Sequence, residues 1–240
     1  MIDLHSHILP GLDDGSPDDA TSLEMARMAV DDGIQTIVAT PHYLNGVGVS
    51  SPDVIPPAVQ RFQTLLDSAS IPLRILHAME MPLLDTLVDL YRSGLWPAYD
   101  SGRRYVLFEM PDLPFRALDI LARSVSTLKL LGAVPVLAHP ERLECLDDLE
   151  AARRVHRLGA RFQITASAFL DDGASECRRA RAWLDDGLVT CVATDAHGVR
   201  RRPPLLSPAR RWIASRYGEP AAAALVESNP ALILQGDPLP

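Results

Sequence analysis

Short apolar, β-branched runs alternate with stretches of helical spacing along this chain. The runs predict strands at Ile2–Leu4, Thr36–Ala39, Leu73–His77, Tyr105–Phe108, Val134–Ala138, Arg161–Thr165 and Val189–Thr194. Between them the clearest helical pattern is Phe115, Leu118, Leu121, Val125, Leu128 and Leu131, which steps by three or four residues and stops at Gly132. The first helix is also punctuated. Ser16 suits an N-cap, Pro17 the first helical position, Asp19 a capping-box-like turn, and Gly33 a terminator. Strands alternating with helices predict a parallel sheet joined by crossovers. Segment 44–58, rich in Gly, Val, Ser and Pro, reads as a mobile loop next to His42.

Length and composition narrow the class. A chain of 240 residues, 47% hydrophobic and 22% charged, suits one globular domain, 1–240. A net charge of −8 and 5% aromatic content argue against a nucleic-acid surface. The apolar runs fall short of the roughly 18 residues that a membrane span needs, and the start, Met-Ile-Asp-Leu-His, has no signal-peptide pattern. Cys145, Cys177 and Cys191 form no CxxC and cannot all pair, which suits a reducing, cytoplasmic setting.

Chemistry gathers where the predicted strands end. The first strand leads into Asp3, His5 and His7, the second into His42, the third into Glu80, the fourth into Glu109, the fifth into His139-Pro140-Glu141-Arg142, and the seventh into Asp195-Ala196-His197. In a β/α barrel all carboxyl ends of strands share one rim, so these residues would converge. A barrel therefore explains their placement better than an open sheet. His5 and His7, two apart, share one side of the pleat, as two ligands of one metal would. Glu80 between two methionines and Glu109 between Phe108 and Met110 are carboxylates in apolar company, costly unless paired or bound to a cation. Asp13-Asp14-Gly15 reads equally as a turn or as a source of one ligand. His77 and His156 read as structural or surface residues. Arg200-Arg201-Arg202 reads as a solvated face that can lend one guanidinium to a phosphate, and Arg142 is better placed for that role. Five histidines and four carboxylates are too many ligands for one ion and suit two or three. Nitrogen and oxygen donors without thiolate fit Mn²⁺, Fe²⁺, Zn²⁺ or Mg²⁺.

The ordered set His-Ser-His-Ile-Leu-Pro-Gly-Leu-Asp-Asp-Gly15, Thr-Pro-His42, Glu80, Phe-Glu109, Ala-His-Pro-Glu-Arg142 and Thr-Asp-Ala-His197 resembles the polymerase-and-histidinol-phosphatase (PHP) superfamily. Within it, the chain looks like the bacterial protein-tyrosine phosphatases of capsule and exopolysaccharide operons, from residue 1 to about 235. The resemblance implies a distorted TIM-like (β/α) barrel of about seven parallel strands. It implies a trinuclear, often Mn²⁺-dependent centre held by His5, His7, Asp14, His42, Glu80, Glu109, His139, Asp195 and His197. Arg142 and Arg202 match arginines that contact phosphate in that family. The implied reaction is hydrolysis of phosphotyrosine by a metal-bridging hydroxide, with His42 or a metal-bound water as proton source. The implied substrate is the tyrosine-rich tail of a bacterial polysaccharide-assembly kinase, with homo-oligomerisation left open. Three alternatives remain at this point: a small-molecule phosphatase of the histidinol-phosphate type, a PHP exonuclease, and a non-catalytic metal-bound regulator. Segment 44–52 departs from the family pattern, with less charge and more Gly and Val.

Overall fold

The computed structural model describes residues 1–43, 48–49, 51–83, 86–111 and 117–240. Eight strands run in chain order: β1 (Ile2–Ser6), β2 (Thr36–Ala39), β3 (Arg74–His77), β4 (Met81–Pro82), β5 (Tyr105–Glu109), β6 (Val134–Ala138), β7 (Arg161–Thr165) and β8 (Val189–Ala193). Helices α1 (Asp19–Asp31), α2 (Ile55–Ser68), α3 (Leu87–Ser93), α4 (Ala117–Leu130), α5 (Leu149–Leu158) and α6 (Ser175–Asp185) lie between them. Three more, α7 (Ser207–Tyr217), α8 (Glu219–Ala223) and α9 (Asn229–Gln235), follow β8. Among the described residues, no helix is long and apolar enough to cross a membrane.

Among the described residues all strand pairings are parallel. They fall into a three-stranded sheet, β1-β2-β3, and a five-stranded sheet, β4-β5-β6-β7-β8. The two meet at two seams. At one, the Asp195 N–H donates to His5 O and the His7 N–H to Ala196 O, both at 2.8 Å. At the other, the chain from β3 to β4 leaves the first sheet and enters the second, with Glu80 bridged to His42 between them. Every predicted strand is present within one or two residues at each end. The added strand, β4, is a two-residue continuation past β3, and Pro82 and the preceding Glu80 hid it from the apolar pattern.

Alternation along the strands sorts the core. On β5, Val106 and Phe108 join the large cluster that packs on the helices, and Tyr105 and Leu107 join a smaller one with Leu4, Val38, Val136 and Cys191. On the helix side, Met25, Ala26 and Ala29 of α1, Phe62 and Leu66 of α2, and Leu121, Val125 and Leu128 of α4 are fully or almost fully buried. The C-terminal segment packs on the smaller cluster. The Tyr105 hydroxyl donates to Asp237 O at 2.6 Å, and Arg104 donates to Gly236 O at 3.1 Å. Tyr105 opens β5 and Glu109 ends it, so the tail covers the end of the strands away from the polar cluster.

Two local readings need correction. The cap of α1 is Asp18, whose side chain accepts from the Thr21 N–H at 2.8 Å, and not Ser16. Ser16 is buried instead, its N–H donating to His7 O, its hydroxyl donating to Asp18 O and accepting from Ser22 Oγ. Gly33 does terminate the helix, at φ +90°. Of segment 44–58, residues 52–54 form a 3₁₀ turn and residues from Ile55 belong to α2, with Pro56 in its first turn. Residues 44–47 and 50 of that segment, like Phe115 of the α4 pattern, lie outside the described residues.

Candidate metal centre

The nine residues expected to act together do converge, at the carboxyl ends of the strands. His5 and His7 come from β1 and its exit, Asp14 from the loop before α1, and His42 from beyond β2. Glu80 lies between β3 and β4, Glu109 ends β5, and His139 follows β6. Asp195 and His197 follow β8. Glu80, fully buried, is the hub. Its Oε2 lies 3.2 Å from His5 Nε2, 3.3 Å from His7 Nε2 and 3.1 Å from His42 Nδ1, and its Oε1 is 2.9 Å from His139 Nε2. Asp195 Oδ1 stands 3.4 Å from both His5 Nε2 and His7 Nε2, and 3.5 Å from His197 Nδ1. Glu109 Oε1 is 3.3 Å from His42 Nδ1. Asp14, on the exposed side, reaches His42 Nε2 at 3.6 Å and His197 Nε2 at 3.5 Å.

The inward atoms lack ordinary partners. His5 Nδ1 is bonded to Gln163 Oε1 at 2.7 Å and His7 Nδ1 to Asp13 Oδ2 at 2.6 Å. Those bonds leave the two Nε2 atoms, 3.2 Å apart, as the inward nitrogens. Glu80 Oε2, His42 Nδ1 and His197 Nε2 are buried without a hydrogen-bond partner. Buried polar atoms left this way are costly. Cations among them would remove the cost. Three groups of these residues bring one donor atom each within 4.8 Å of one another: His7, Asp14, His42 and His197; His5, His7 and Glu80; and His42, Glu80 and Glu109. All donors are nitrogen or oxygen, as intermediate and hard divalent metals prefer. The residues therefore fit a multinuclear metal centre.

Protonation follows the crowding. Burial works to raise the Glu80 carboxyl, but the adjoining His5, His139 and His7 imidazoles outweigh it and hold it well below the usual range. Burial works to lower His7, but Asp13, Asp195 and Glu80 hold it well above the usual range. His197, buried and beside His7, falls to about 3.

The backbone is shaped for the cluster. His139 and Asp195 sit at positive φ, +33° and +50°, as does Arg202 at +50°. Strain of this kind in non-glycine residues concentrates at functional sites. Gly15 packs flush on His7, where a Cβ would lie 2.2 Å from His7 O. Gly48 packs in the same way on His42, at 2.1 Å from its carbonyl oxygen.

Both arginines singled out in the sequence reach the cluster through Asp195. Arg142 donates to Asp195 Oδ2 at 2.6 Å and to Thr165 Oγ1 at 3.1 Å, and Arg202 donates to the same Oδ2 at 2.7 Å. Asp195 thus gives one oxygen to the imidazoles and the other to two guanidiniums. Arg200 and Arg201 are exposed. His156, half-buried on α5, packs edge-on against Phe162, and His77 is half-buried at the end of β3.

Some participants were not visible in the sequence. Asp13 read as part of a turn or of a doublet that supplies one ligand, and not as an orienting partner, yet besides His7 it accepts from the His42 N–H at 3.2 Å and the Gly15 N–H at 3.0 Å. Gln163 comes from β7, 158 residues from His5. Asp3 lies fully buried behind His5, accepting from the Thr194 N–H at 2.9 Å and its hydroxyl at 2.5 Å. Burial raises the Asp3 carboxyl to about 6, against those bonds. The acidic doublet at 13–14 was the one available signal. Asp3 stood with His5 and His7 at the end of the first strand, but nothing local told that it would lie behind His5, and Gln163 had no signal.

Known proteins share this arrangement of sequence and fold. The tyrosine-protein phosphatase YwqE of Bacillus subtilis is 33% identical over 238 residues, 97% of this chain and 91% of that protein. The tyrosine-protein phosphatase CpsB of Streptococcus pneumoniae is 30% identical, with 98% of both chains covered. A crystal structure from the YwqE and CpsB pair, described as unique metal-dependent tyrosine phosphatases, matches with a TM-score of 0.88 at 31% identity, over 100% of this chain and 96% of that one. The family model for capsular polysaccharide synthesis, CpsB/CapC, matches residues 1–235. The chain belongs to the CpsB/CapC family of capsular polysaccharide synthesis.

Proposed function

We propose that residues 1–240 form one metal-dependent protein-tyrosine phosphatase domain. We assign it as substrate a phosphotyrosine protein of the capsule or exopolysaccharide machinery, a bacterial tyrosine kinase above all. One observation carries the reading. His5, His7 and Glu80 aim their inner atoms at a shared space, with the outer imidazole nitrogens already committed to Gln163 and Asp13. The likeness in sequence to tyrosine-protein phosphatases over nearly the full length supports the substrate class. The three free thiols support a cytoplasmic setting.

His5, His7, Asp14, His42, Glu80, Glu109, His139, Asp195 and His197 would hold two or three ions, with Mn²⁺ as our assignment. When bound, such ions generate a nucleophile from water near neutral pH and neutralise charge on phosphoryl oxygens. The protein's own groups do the rest. Gln163 and Asp13 fix two imidazoles with Nε2 inward. Arg142 and Arg202 hold Asp195 ionised and aimed at the cluster, and present their remaining N–H groups to the non-bridging phosphate oxygens. The proton for the leaving phenolate oxygen would come from water at the site or from a His42 N–H that no ion takes, beside exposed Asp14.

The test compares three substrates under Mn²⁺: a phosphotyrosine peptide, histidinol phosphate and a single-stranded oligonucleotide. The reading expects the peptide to be turned over best. Preference for histidinol phosphate would make the chain a small-molecule phosphatase, and cutting of the oligonucleotide a nuclease.

A further inference from the structure

A second cavity adjoins the cluster through Arg142. It has a volume of about 310 Å³, and its lining includes Glu141, Arg142, Thr165, Ser167, Asp171 and Glu176. Three of these are carboxylates and one is a guanidinium, and that guanidinium is already engaged by Asp195 Oδ2 and Thr165 Oγ1. Acidity alone would carry little weight. The independent feature is Glu141. It is 1% exposed, and its Oε1 accepts from the Thr165 N–H at 3.0 Å, while its Oε2 is buried with no hydrogen-bond partner. The Glu141 backbone oxygen accepts from Arg179 Nε on α6 at 2.5 Å, which pins the turn that carries it. Asp171 accepts from the Gly173 N–H at 3.2 Å and Glu176 from the Ser175 hydroxyl at 3.0 Å and its own backbone N–H, and both keep acceptor capacity.

We infer that this cavity is a specificity subsite for a cationic side chain, lysine or arginine, beside the phosphotyrosine of the substrate. The inference rests on the phosphatase reading above and names the substrate class more closely. Arg142 marks the boundary between the phosphate position and the subsite. At about 310 Å³ the cavity has room for a lysine or arginine side chain. Its N–H donors would give Glu141 Oε2 the partner it lacks, and its charge would meet Asp171 and Glu176.

The experiment uses the full-length, Mn²⁺-loaded protein and phosphotyrosine peptides that differ at one flanking position, with lysine, norleucine or glutamate on either side. The subsite predicts a kcat/KM roughly 5–30-fold higher for lysine than for norleucine at one of those positions, mainly through KM, and lowest values for glutamate. The Asp171→Asn/Glu176→Gln double variant is expected to bring the lysine-to-norleucine ratio towards one. Anisotropy of the same peptides, labelled, reads binding without turnover. Equal binding of lysine, norleucine and glutamate peptides overturns the subsite. Lysine-selective binding without hydrolysis of any aryl phosphate keeps the subsite and overturns the phosphatase reading.

Discussion

Asp13→Ala is expected to loosen the metal centre without touching a proposed ligand. In the folded protein Asp13 Oδ2 takes the His7 Nδ1 proton at 2.6 Å and also faces the His42 N–H at 3.2 Å, while its Oδ1 holds the Gly15 N–H at 3.0 Å. One carboxylate therefore sets the tautomer of His7 and the backbone beside His42. A buried charge-assisted hydrogen bond contributes about 1.5–3 kcal/mol, and removing such an orienting partner typically costs about 10–100-fold in metal affinity. Asp13→Ala should fall near the upper end, because His42 N–H and Gly15 N–H lose their acceptor too. Asp13→Asn keeps an amide oxygen for His7 Nδ1 but no charge, so about tenfold is expected. The assay is Mn²⁺ titration of the chelated protein, read both by competition with a metal indicator and by turnover of a phosphotyrosine peptide. High Mn²⁺ should recover most of kcat. Wild-type half-saturation by Mn²⁺ in Asp13→Ala would refute the orienting role.

Arg142→Lys should keep its metals but lower kcat/KM by roughly 2–3 kcal/mol, or about 30–150-fold, since an ammonium cannot copy the fork that meets Asp195 and phosphate; steady-state kinetics with metal analysis on one preparation decides. Thiol alkylation should leave turnover nearly intact, because Cys177 and Cys191 are buried, burial pushes the Cys191 thiol up, and the residues six positions after the three cysteines are Ala151, Trp183 and His197. Stoichiometric inactivation prevented by phosphate would contradict this. His156→Ala should keep metal and activity whereas His5→Ala loses both, as elemental analysis will show. Asp3, raised to about 6 by burial, binds its proton more tightly folded than unfolded, so its stabilising effect is complete below pH 3.8 and is lost as pH rises through 6. Ionising it by pH 7 costs about 3 kcal/mol, and Asp3→Asn in chelator should flatten the melting temperature between pH 5 and 7.5. An unchanged pH profile would remove Asp3 as the cause.

The strands were legible because β-branched runs ended in polar residues, and the residues that converge were legible because those ends carry His, Asp or Glu. His5 and His7 needed only the two-residue period of a strand. β4 escaped because it forms where one segment passes between sheets, a tertiary event that leaves Met81-Pro82 without a pattern of its own. The cap of α1 shifted from Ser16 to Asp18 because the loop's own bond from the Ser16 N–H to His7 O buries the serine. The orienting partners were illegible for a simpler reason. Gln163 looks like any polar strand residue until β7 brings it to His5. Nothing local told that Arg142 and Arg202, from different loops, meet on a single oxygen of Asp195.

The most direct measurement is hydrolysis of a phosphotyrosine peptide by exhaustively chelated protein, before and after adding Mn²⁺, with bound metal counted by elemental analysis. The account predicts negligible turnover without metal and recovery as two to three ions bind per chain. Full turnover by protein shown to be metal-free would contradict it.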